Sequence, residues 1–125
     1  MQLRDLYYCQ KCRNLVEVVH AGAPALICCG DPMLLLNANS TDAAGEKHVP
    51  VIADKGDYVE ITVGSVDHPM TPEHYIAFIE VLTAGGVCRK ELKPDGKPVA
   101  VFQIKRSEII EVREFCNLHL LWKAN

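Results

Sequence analysis

Cysteine and histidine are the residue types in this 125-residue chain whose spacing could support metal chemistry. The six cysteines are at positions 9, 12, 28, 29, 88 and 116, and the five histidines are at 20, 48, 68, 74 and 119. In a reducing compartment, clustered thiols are more often metal ligands or catalytic groups than disulfides. Neutral imidazole is the commonest metal ligand among side chains. We therefore look first for groups of these residues that could share an ion.

The first group lies near the N-terminus, in "YYCQKC" and "ICCGDP". Cys9 and Cys12 form the C-x-x-C knuckle by which two thiolates reach one tetrahedral ion, and Cys28 and Cys29 complete a set of four. Four thiolates select zinc or iron. Adjacent cysteines can share an ion only if the backbone opens the angle between their sulfurs, so we expect a distorted tetrahedron. These residues alone leave a structural zinc ribbon and an electron-carrying iron centre equally open.

The second group is spread over the rest of the chain, and each of its members is unremarkable alone. Cys116 and His119 are spaced C-x-x-H, at what we expect to be a strand end. A loop bracketed by two histidines contains two prolines, whose fixed φ lowers the entropy cost of holding both rings. The complete candidate set is His48, His68, His74, Cys116 and His119. Together these residues predict a second metal site.

The intervening sequence predicts an all-β protein. Residues 1–36 contain short strand patterns, "NLVEVVHAG" and "MLLLN", in a piece that is too small to be stable without a metal or a partner. The small polar segment 37–46 is interpreted as a linker. Beyond it, strand patterns recur in "YVEITVGSV", "YIAFIEVLT", "VAVFQIKR", "EIIEVREF" and "LHLLW", with a hairpin-type turn at "KPDGKP". This series favours an antiparallel β-sandwich of immunoglobulin-like type.

Composition narrows the functional class. The formal net charge of −3 and the pI near 5.9 argue against a nucleic-acid-binding protein. No apolar run approaches the roughly 18 residues that a membrane span needs, and the start, "MQLRDLYYCQ", has no apolar core of a secretory signal. We therefore expect a cytoplasmic protein with neither nucleic-acid nor membrane partners.

The motifs "YYCQKC…ICCGDPM", "EKHVPVI", "VGSVDHPMTPEHYI" and "FCNLHLLWK" resemble, in order and spacing, the two-iron superoxide reductases, or desulfoferrodoxins. This resemblance implies a desulforedoxin-like module over residues 1–37 and an immunoglobulin-like domain over 38–125. The module would hold an Fe(Cys)4 centre on its four cysteines. The second domain would hold an Fe(His)4Cys centre, with His48, His68, His74 and His119 in a plane and Cys116 axial.

The activity implied by the resemblance is the one-electron reduction of superoxide to hydrogen peroxide, without release of dioxygen. Five protein ligands would leave one octahedral position open, as a catalytic site requires. By resemblance, Lys47 draws in the anion and stabilises the bound peroxide, while Glu46 occupies the sixth position in the ferric state. A homodimer that receives electrons from rubredoxin, in detoxification of superoxide, is also implied.

Some features depart from the family pattern or stay unassigned. Arg13 follows the C-x-x-C knuckle where glycine is common, and Leu120 replaces a frequent glycine after His119, adding bulk beside the catalytic iron. Cys88 is predicted to be a small, partly buried apolar residue, and His20 a structural or interfacial one. Two other functions are weighed against the enzyme. One is a non-catalytic iron electron carrier, and the other is a zinc-bound structural or interaction module.

Overall fold

Short β-strands provide nearly all the regular structure of this protein. The computed structural model describes residues 1–22, 25–42 and 47–125. The described residues divide into two units, Met1–Asn37 and Ala38–Asn125, each of which is described separately below. None of the described helical segments has the length and apolar character that crossing a bilayer requires.

The N-terminal unit is built from two small antiparallel sheets. Its strands are β1 (Leu6–Tyr8), β2 (Leu15–Glu17), β3 (Ile27–Cys28), β4 (Asp31–Pro32) and β5 (Leu34–Leu35). β1 is central in the order β2-β1-β5, and β3 pairs with β4. The buried apolar side chains here are few, chiefly Leu6, Tyr8 and Val18. So small a core suits a unit whose stability depends on a bound metal.

The second unit consists of two antiparallel sheets with an apolar core between them. Its strands are β6 (Pro50–Asp54), β7 (Val59–Val63), β8 (Ile76–Thr83), β9 (Gly86–Glu91), β10 (Val99–Phe102), β11 (Glu111–Cys116) and β12 (Leu120–Ala124). The sheet orders are β10-β7-β6 and β12-β11-β8-β9. A short 3-10 helix, Arg106–Glu108, precedes β11.

Alternation along the strands builds the core. In β7, Val59, Ile61 and Val63 are fully buried and alternate with the half-buried Glu60 and Thr62, which is the period of two expected of a strand with one buried face. The facing sheet contributes apolar side chains to the same cluster, among them Ile79, Val81, Val112 and Cys116. The prediction of an all-β fold with a small cysteine-rich module and a β-sandwich is confirmed.

A buried ion-pair network on the opposite face of the larger sheet fixes the register of the strand that carries Cys116. Glu80 is fully buried and lies directly across from Arg113 in β11 and Arg89 in β9. The Nε of Arg113 donates to Oε1 of Glu80 at 2.7 Å, and the Nη2 of Arg89 lies 2.6 Å from its Oε2. Three neighbouring strands are therefore tied together by charge-assisted hydrogen bonds.

The predicted hairpin is wrong. The "KPDGKP" segment turns through Asp95 at φ 71°, but it connects β9 to β10, which lie in different sheets, so it closes no hairpin. The boundary between the two units falls within the predicted linker 37–46, in which Asn39 forms a β-bridge with Trp122. Residues 43–46 of that segment, including Glu46, lie outside the described residues.

Candidate metal centres

The four N-terminal cysteines converge at one end of the N-terminal unit. Their sulfur atoms all lie within 4.8 Å of one another, and the Sγ atoms of Cys12 and Cys28 are 3.5 Å apart. Cys29 has a left-handed backbone, with φ 52°, and is followed by Gly30 at φ 81°. Successive side chains of a regular strand point to opposite faces, so this left-handed step is what lets two adjacent thiols face the same point.

Hydrogen bonds shift the pKa values of three of these thiols in different directions. The backbone N–H of Cys12 donates to the sulfur of Cys9 at 3.5 Å. That bond, the strongest of several influences, lowers the pKa of Cys9 to about 6. Bonding to Cys12 and Cys9 raises the pKa of Cys28 and raises that of Cys29 to about 12. In the absence of metal, Cys9 is therefore a thiolate at neutral pH, whereas Cys28 and Cys29 must still lose a proton to become ligands.

Arg13, which stands where glycine is common, has a left-handed backbone conformation that residues with a Cβ atom disfavour. Its φ is 68°, in the left-handed region where glycine is favoured, and its N–H donates to the carbonyl of Cys9 at 2.8 Å. The knuckle geometry is therefore kept despite the missing glycine. Lys11 contacts the segment that carries the other two cysteines. Its Nζ donates to the carbonyl of Cys29 at 3.3 Å and pairs with the carboxylate of Asp31 at 2.9 Å.

The second candidate group also converges. One ligand atom from each of its five members lies within 4.8 Å of all the others, and the members are His48, His68, His74, Cys116 and His119. The Nε2 atoms of His48 and His68 are 3.1 Å apart. The sulfur of Cys116 is 3.7 Å from Nε2 of His68 and 3.8 Å from Nδ1 of His119.

Hydrogen bonding fixes which nitrogen of His68 faces the group. Its Nδ1 lies 2.7 Å from the carbonyl oxygen of Pro69, and only a protonated nitrogen can donate to that acceptor. The neutral ring then presents an unprotonated Nε2 to the other donors, which is how metal-ligating histidines are usually oriented. This unprotonated Nε2 lies close to the Nε2 of His48 and to the sulfur of Cys116. Atoms of these types at such distances can bind one metal cation together.

Backbone contacts hold two of the ligand-bearing segments. The carboxylate of Asp42 accepts the backbone N–H of His48 and, at 3.0 Å, that of Val49. Asn117 spans the position of His74, since its Oδ1 accepts the N–H of Tyr75 at 2.9 Å and its Nδ2 donates to the carbonyl of Glu73 at 2.9 Å. The loop bearing His74 is therefore attached to the turn between Cys116 and His119.

The five-donor group is open on one side. Cys116, His48 and His68 are buried, whereas His74 is half-buried and His119 is exposed. Lys47, next to His48, is also exposed. A small molecule can therefore approach from the side of His119, while the sulfur of Cys116 lies at the buried side.

Glu114 adds an unusual group to the interior near Cys116. It lies two residues before Cys116 on the same strand and is fully buried. Neither of its carboxyl oxygens has a hydrogen-bond partner among the described residues. Burial, with a smaller contribution from the charge of Asp42, raises the pKa of Glu114 well above its ordinary value.

The remaining chemistry-bearing residues lie outside both groups. His20 is exposed and is not a member of either. Cys88 is exposed in the edge strand β9, so the prediction of a partly buried Cys88 is wrong. Leu120 has φ 65° and closes the three-residue turn between β11 and β12, which explains why glycine is favourable there.

Several residues of the site had no signal in the sequence. Asp42 and Asn117 act through long-range backbone contacts. Gly64 packs against the backbone of Lys47, and Trp122 stacks on a ligand imidazole. Only Trp122 offered a hint, since it lies three residues after His119.

The fold and the two donor sets define a small β protein with a four-thiolate and a four-imidazole, one-thiolate metal centre. The sequence matches the family model "Desulfoferrodoxin" over residues 40–125 and "Desulfoferrodoxin, N-terminal domain" over residues 2–36. This chain belongs to the desulfoferrodoxin family.

Individual relatives agree with this assignment. The chain is 48% identical over 123 residues to a desulfoferrodoxin homolog of Archaeoglobus fulgidus, covering 98% of each chain. It is 41% identical over 109 residues to a superoxide reductase of Pyrococcus horikoshii, covering 73% of this chain and 95% of the relative. The crystal structure of the superoxide reductase from Treponema pallidum is similar with a TM-score of 0.80 and 33% identity, over 97% of both chains.

Both donor sets suit the metal centres of this family. The four cysteines fit an Fe(Cys)4 centre, and the four histidines with Cys116 fit an Fe(His)4Cys centre. The cofactor prediction of two irons per chain is therefore confirmed. Thiolate ligands are suited to iron as well as zinc, and the mixed imidazole and thiolate set is not a closed tetrahedral one.

Proposed function

We propose that this protein is a superoxide reductase. The reaction is the one-electron reduction of superoxide, which takes up two protons and gives hydrogen peroxide without dioxygen. The convergence of four imidazoles and one thiolate at a half-open site is the observation that carries the proposal. It is supported by the names of similar proteins, since the relatives from Pyrococcus horikoshii and Treponema pallidum are called superoxide reductases. Ferrous iron, if held by these five residues, would supply the electron.

The ligand assignment belongs to this proposal. His48, His68, His74, His119 and Cys116 hold the catalytic iron, and Cys9, Cys12, Cys28 and Cys29 hold the first iron. Four neutral imidazoles and one thiolate carry a net charge of −1, so a divalent ion brings the site to +1. A site of that charge attracts the superoxide anion.

Lys47 and Glu46 are proposed to serve the reaction from the solvent side. Lys47 is exposed next to the buried His48, so its ammonium can attract an anion toward the open side of the group. It also organises water there for the two protons that the product needs. Glu46 precedes it and is proposed, from the family resemblance alone, to occupy the free position in the ferric state.

The N-terminal centre is proposed to carry electrons. Residues 1–37 form the electron-carrying module in this scheme, and residues 38–125 form the catalytic domain. Cys12 and Cys29 are exposed whereas Cys9 is buried, so an external donor can approach one side of the four-thiol group closely. A rubredoxin-type protein is the proposed donor.

A homodimer in the cytoplasm, acting in the detoxification of superoxide, completes the proposal. Val16 and Leu35 lie on either side of Tyr7 across the N-terminal sheet and are 38% and 39% exposed. An apolar row of this kind suits burial against a second copy. Sedimentation of the protein and of a Val16→Ser, Leu35→Ser variant tests this step. A wild-type monomer at micromolar concentration would contradict it.

The decisive test of the activity is product analysis. Reduced, iron-loaded protein is mixed anaerobically with superoxide, and hydrogen peroxide and dioxygen are both measured. A reductase gives one peroxide for each superoxide consumed and no dioxygen, whereas dismutation divides superoxide equally between the two. The same chain loaded with zinc, which has no redox chemistry, is the matched control and should consume superoxide no faster than spontaneous dismutation does. Failure of the iron form to react would support the electron-carrier alternative instead.

A further inference from the structure

Trp122 contacts two of the five candidate ligand residues in different ways. Its indole ring stacks on the imidazole of His48, with ring centroids 4.6 Å apart and planes inclined by 15°. Its Nε1–H donates to the backbone carbonyl of His119 at 3.0 Å. Trp122 is only 7% exposed, so both contacts lie in the protein interior. One side chain therefore touches the segments that bear His48 and His119.

The backbone of Trp122 is held on both sides. In β12 it pairs with Glu114 of β11, two residues before the ligand Cys116. On its other side, the N–H of Asn39 donates to the carbonyl of Leu121 at 3.0 Å, and the N–H of Lys123 donates to the carbonyl of Asn39 at 2.8 Å. A ring anchored in this way on a rigid strand can restrict the groups that it contacts.

The stacking contact adds a constraint on the imidazole ring of His48 that the bonds of its backbone do not supply. Asp42 fixes the backbone of His48 but not the χ2 angle of its imidazole. A nearly parallel indole at this separation is a favoured aromatic arrangement and restricts the plane of the imidazole. Partners outside the ligand sphere that orient ligating imidazoles raise metal affinity in this way.

The hydrogen bond acts on the second ligand. His119 is the exposed member of the group, and it is followed by Leu120 in a left-handed conformation. The indole N–H of Trp122 donates to the backbone carbonyl of His119 in this turn. The turn that directs Nδ1 of His119 toward Cys116 is therefore fastened to the same residue that orients His48.

We propose that Trp122 is a positioning residue that pre-orients His48 and His119 for the metal. The inference rests on the metal-binding part of the proposed function and adds a residue that determines the strength of binding. It requires no direct contact between Trp122 and either the ion or the substrate. Trp122 acts only through the two ligands.

Two substitutions separate the contacts. Trp122→Leu removes both the stacked ring and the N–H donor, whereas Trp122→Phe keeps an aromatic face and removes only the donor. Phe78→Leu is the matched control, because Phe78 is a similarly buried aromatic residue that stacks on Phe115, with centroids 5.9 Å apart, in the same domain. The full-length chain is used throughout, and zinc is the probe ion.

Two measurements are made on each variant. The first is the chemical shift of the His48 ring protons in metal-free protein, which a stacked indole moves upfield. The second is zinc affinity in competition with a chelator, followed through the imidazole resonances so that the four-thiol site does not contribute. We expect Trp122→Leu to lose the upfield shift and to bind zinc about 10–100-fold more weakly. Trp122→Phe should keep most of the shift and lose about fivefold in affinity. Phe78→Leu should stay within about twofold of the wild-type affinity, because Phe78 stacks on Phe115 and on no candidate ligand.

The outcomes distinguish this inference from the proposed function. Folded Trp122→Leu protein with wild-type zinc affinity overturns the inference, as does an equal loss of affinity in Phe78→Leu. If Trp122→Leu does not fold, Trp122→Phe decides, and unchanged affinity in that variant overturns the inference. Failure of the wild-type imidazoles to bind zinc at all would instead contradict the proposed metal site.

Discussion

Gly64 lies against the backbone of Lys47 with no room for a side chain between them. A Cβ atom on Gly64 would be 2.6 Å from the carbonyl oxygen of Lys47 and 2.8 Å from its Cβ. Neighbouring bonds hold this loop in place, because the N–H of His68 donates to the carbonyl of Val63 at 2.8 Å. The position of Lys47, and of His48 next to it, therefore depends on the absence of a side chain at residue 64.

Gly64→Ala is predicted to displace Lys47 and His48 and to slow the reaction with superoxide about 10–100-fold, because displacements of about 1 Å in a site can have effects of that size. The measurement is the second-order rate of oxidation of the reduced protein. Gly85→Ala is the control, since the nearest atom to its added Cβ would be Thr83 Oγ1 at an ordinary 3.9 Å. A Gly64→Ala protein with the wild-type rate would show that Lys47 need not be held in this position.

Lys47→Ala is predicted to lower the same second-order rate about tenfold at low ionic strength, because an exposed cation beside the site steers the anion. The difference should shrink as salt is raised from about 10 mM to 500 mM, where charges are screened over a few ångströms. Lys47→Arg should keep most of the rate. Lys55→Ala is the control, since Lys55 follows the far end of the strand Pro50–Asp54. A loss of rate that is independent of salt would contradict steering.

The N-terminal centre is predicted to bind zinc more tightly as pH rises. The raised pKa of Cys28 and the pKa of about 12 for Cys29 mean that both thiols are protonated at neutral pH in the metal-free chain. Binding must release these protons, so at least two are expected per ion, and affinity should rise at least about 100-fold per pH unit. Chelator competition between pH 7 and 8 measures the slope. Cys29→Ser should release one proton fewer, and a slope near zero would contradict the assignment of these thiols.

Arg13→Gly is predicted to stabilise the N-terminal unit by about 0.5–1 kcal/mol, because relief of left-handed strain exceeds the added backbone freedom of glycine. The basis is the φ of 68° at this position. Denaturant-induced loss of the four-thiolate metal signal measures the change. Arg13→Ala is the control, since it removes the charge but keeps Cβ, and it should gain nothing. A less stable Arg13→Gly protein would mean that the arginine side chain itself contributes to the knuckle.

The sequence predicted the metal donors because their identities are local. C-x-x-C and C-x-x-H spacings place pairs of ligands near each other whatever the fold, and the resemblance supplied the grouping of the separated histidines. The alternation of apolar and polar residues along a strand is also a local pattern, as Val59, Ile61 and Val63 illustrate. The all-β class followed from repeating such patterns along the chain.

What the sequence could not predict depends on residues far apart in the chain. Asp42 is identified only by the N–H groups that it accepts from His48 and Val49. Trp122 would be taken for an ordinary core residue until its ring is found on His48. The "KPDGKP" segment has good turn chemistry, but turn chemistry does not determine whether the flanking strands pair, and here they enter different sheets.

Iron content and the visible spectrum of oxidised protein, compared for wild type, Cys116→Ser and Cys12→Ser, test the central claim most directly. Ferric thiolate absorbs visible light, so each centre should have its own bands. We predict two irons per chain in wild type, loss of one set of bands in Cys116→Ser, and loss of the other set in Cys12→Ser. A wild-type protein with one iron per chain would contradict the presence of two iron centres, and a Cys116→Ser spectrum identical to wild type would contradict an iron held by four histidines and Cys116.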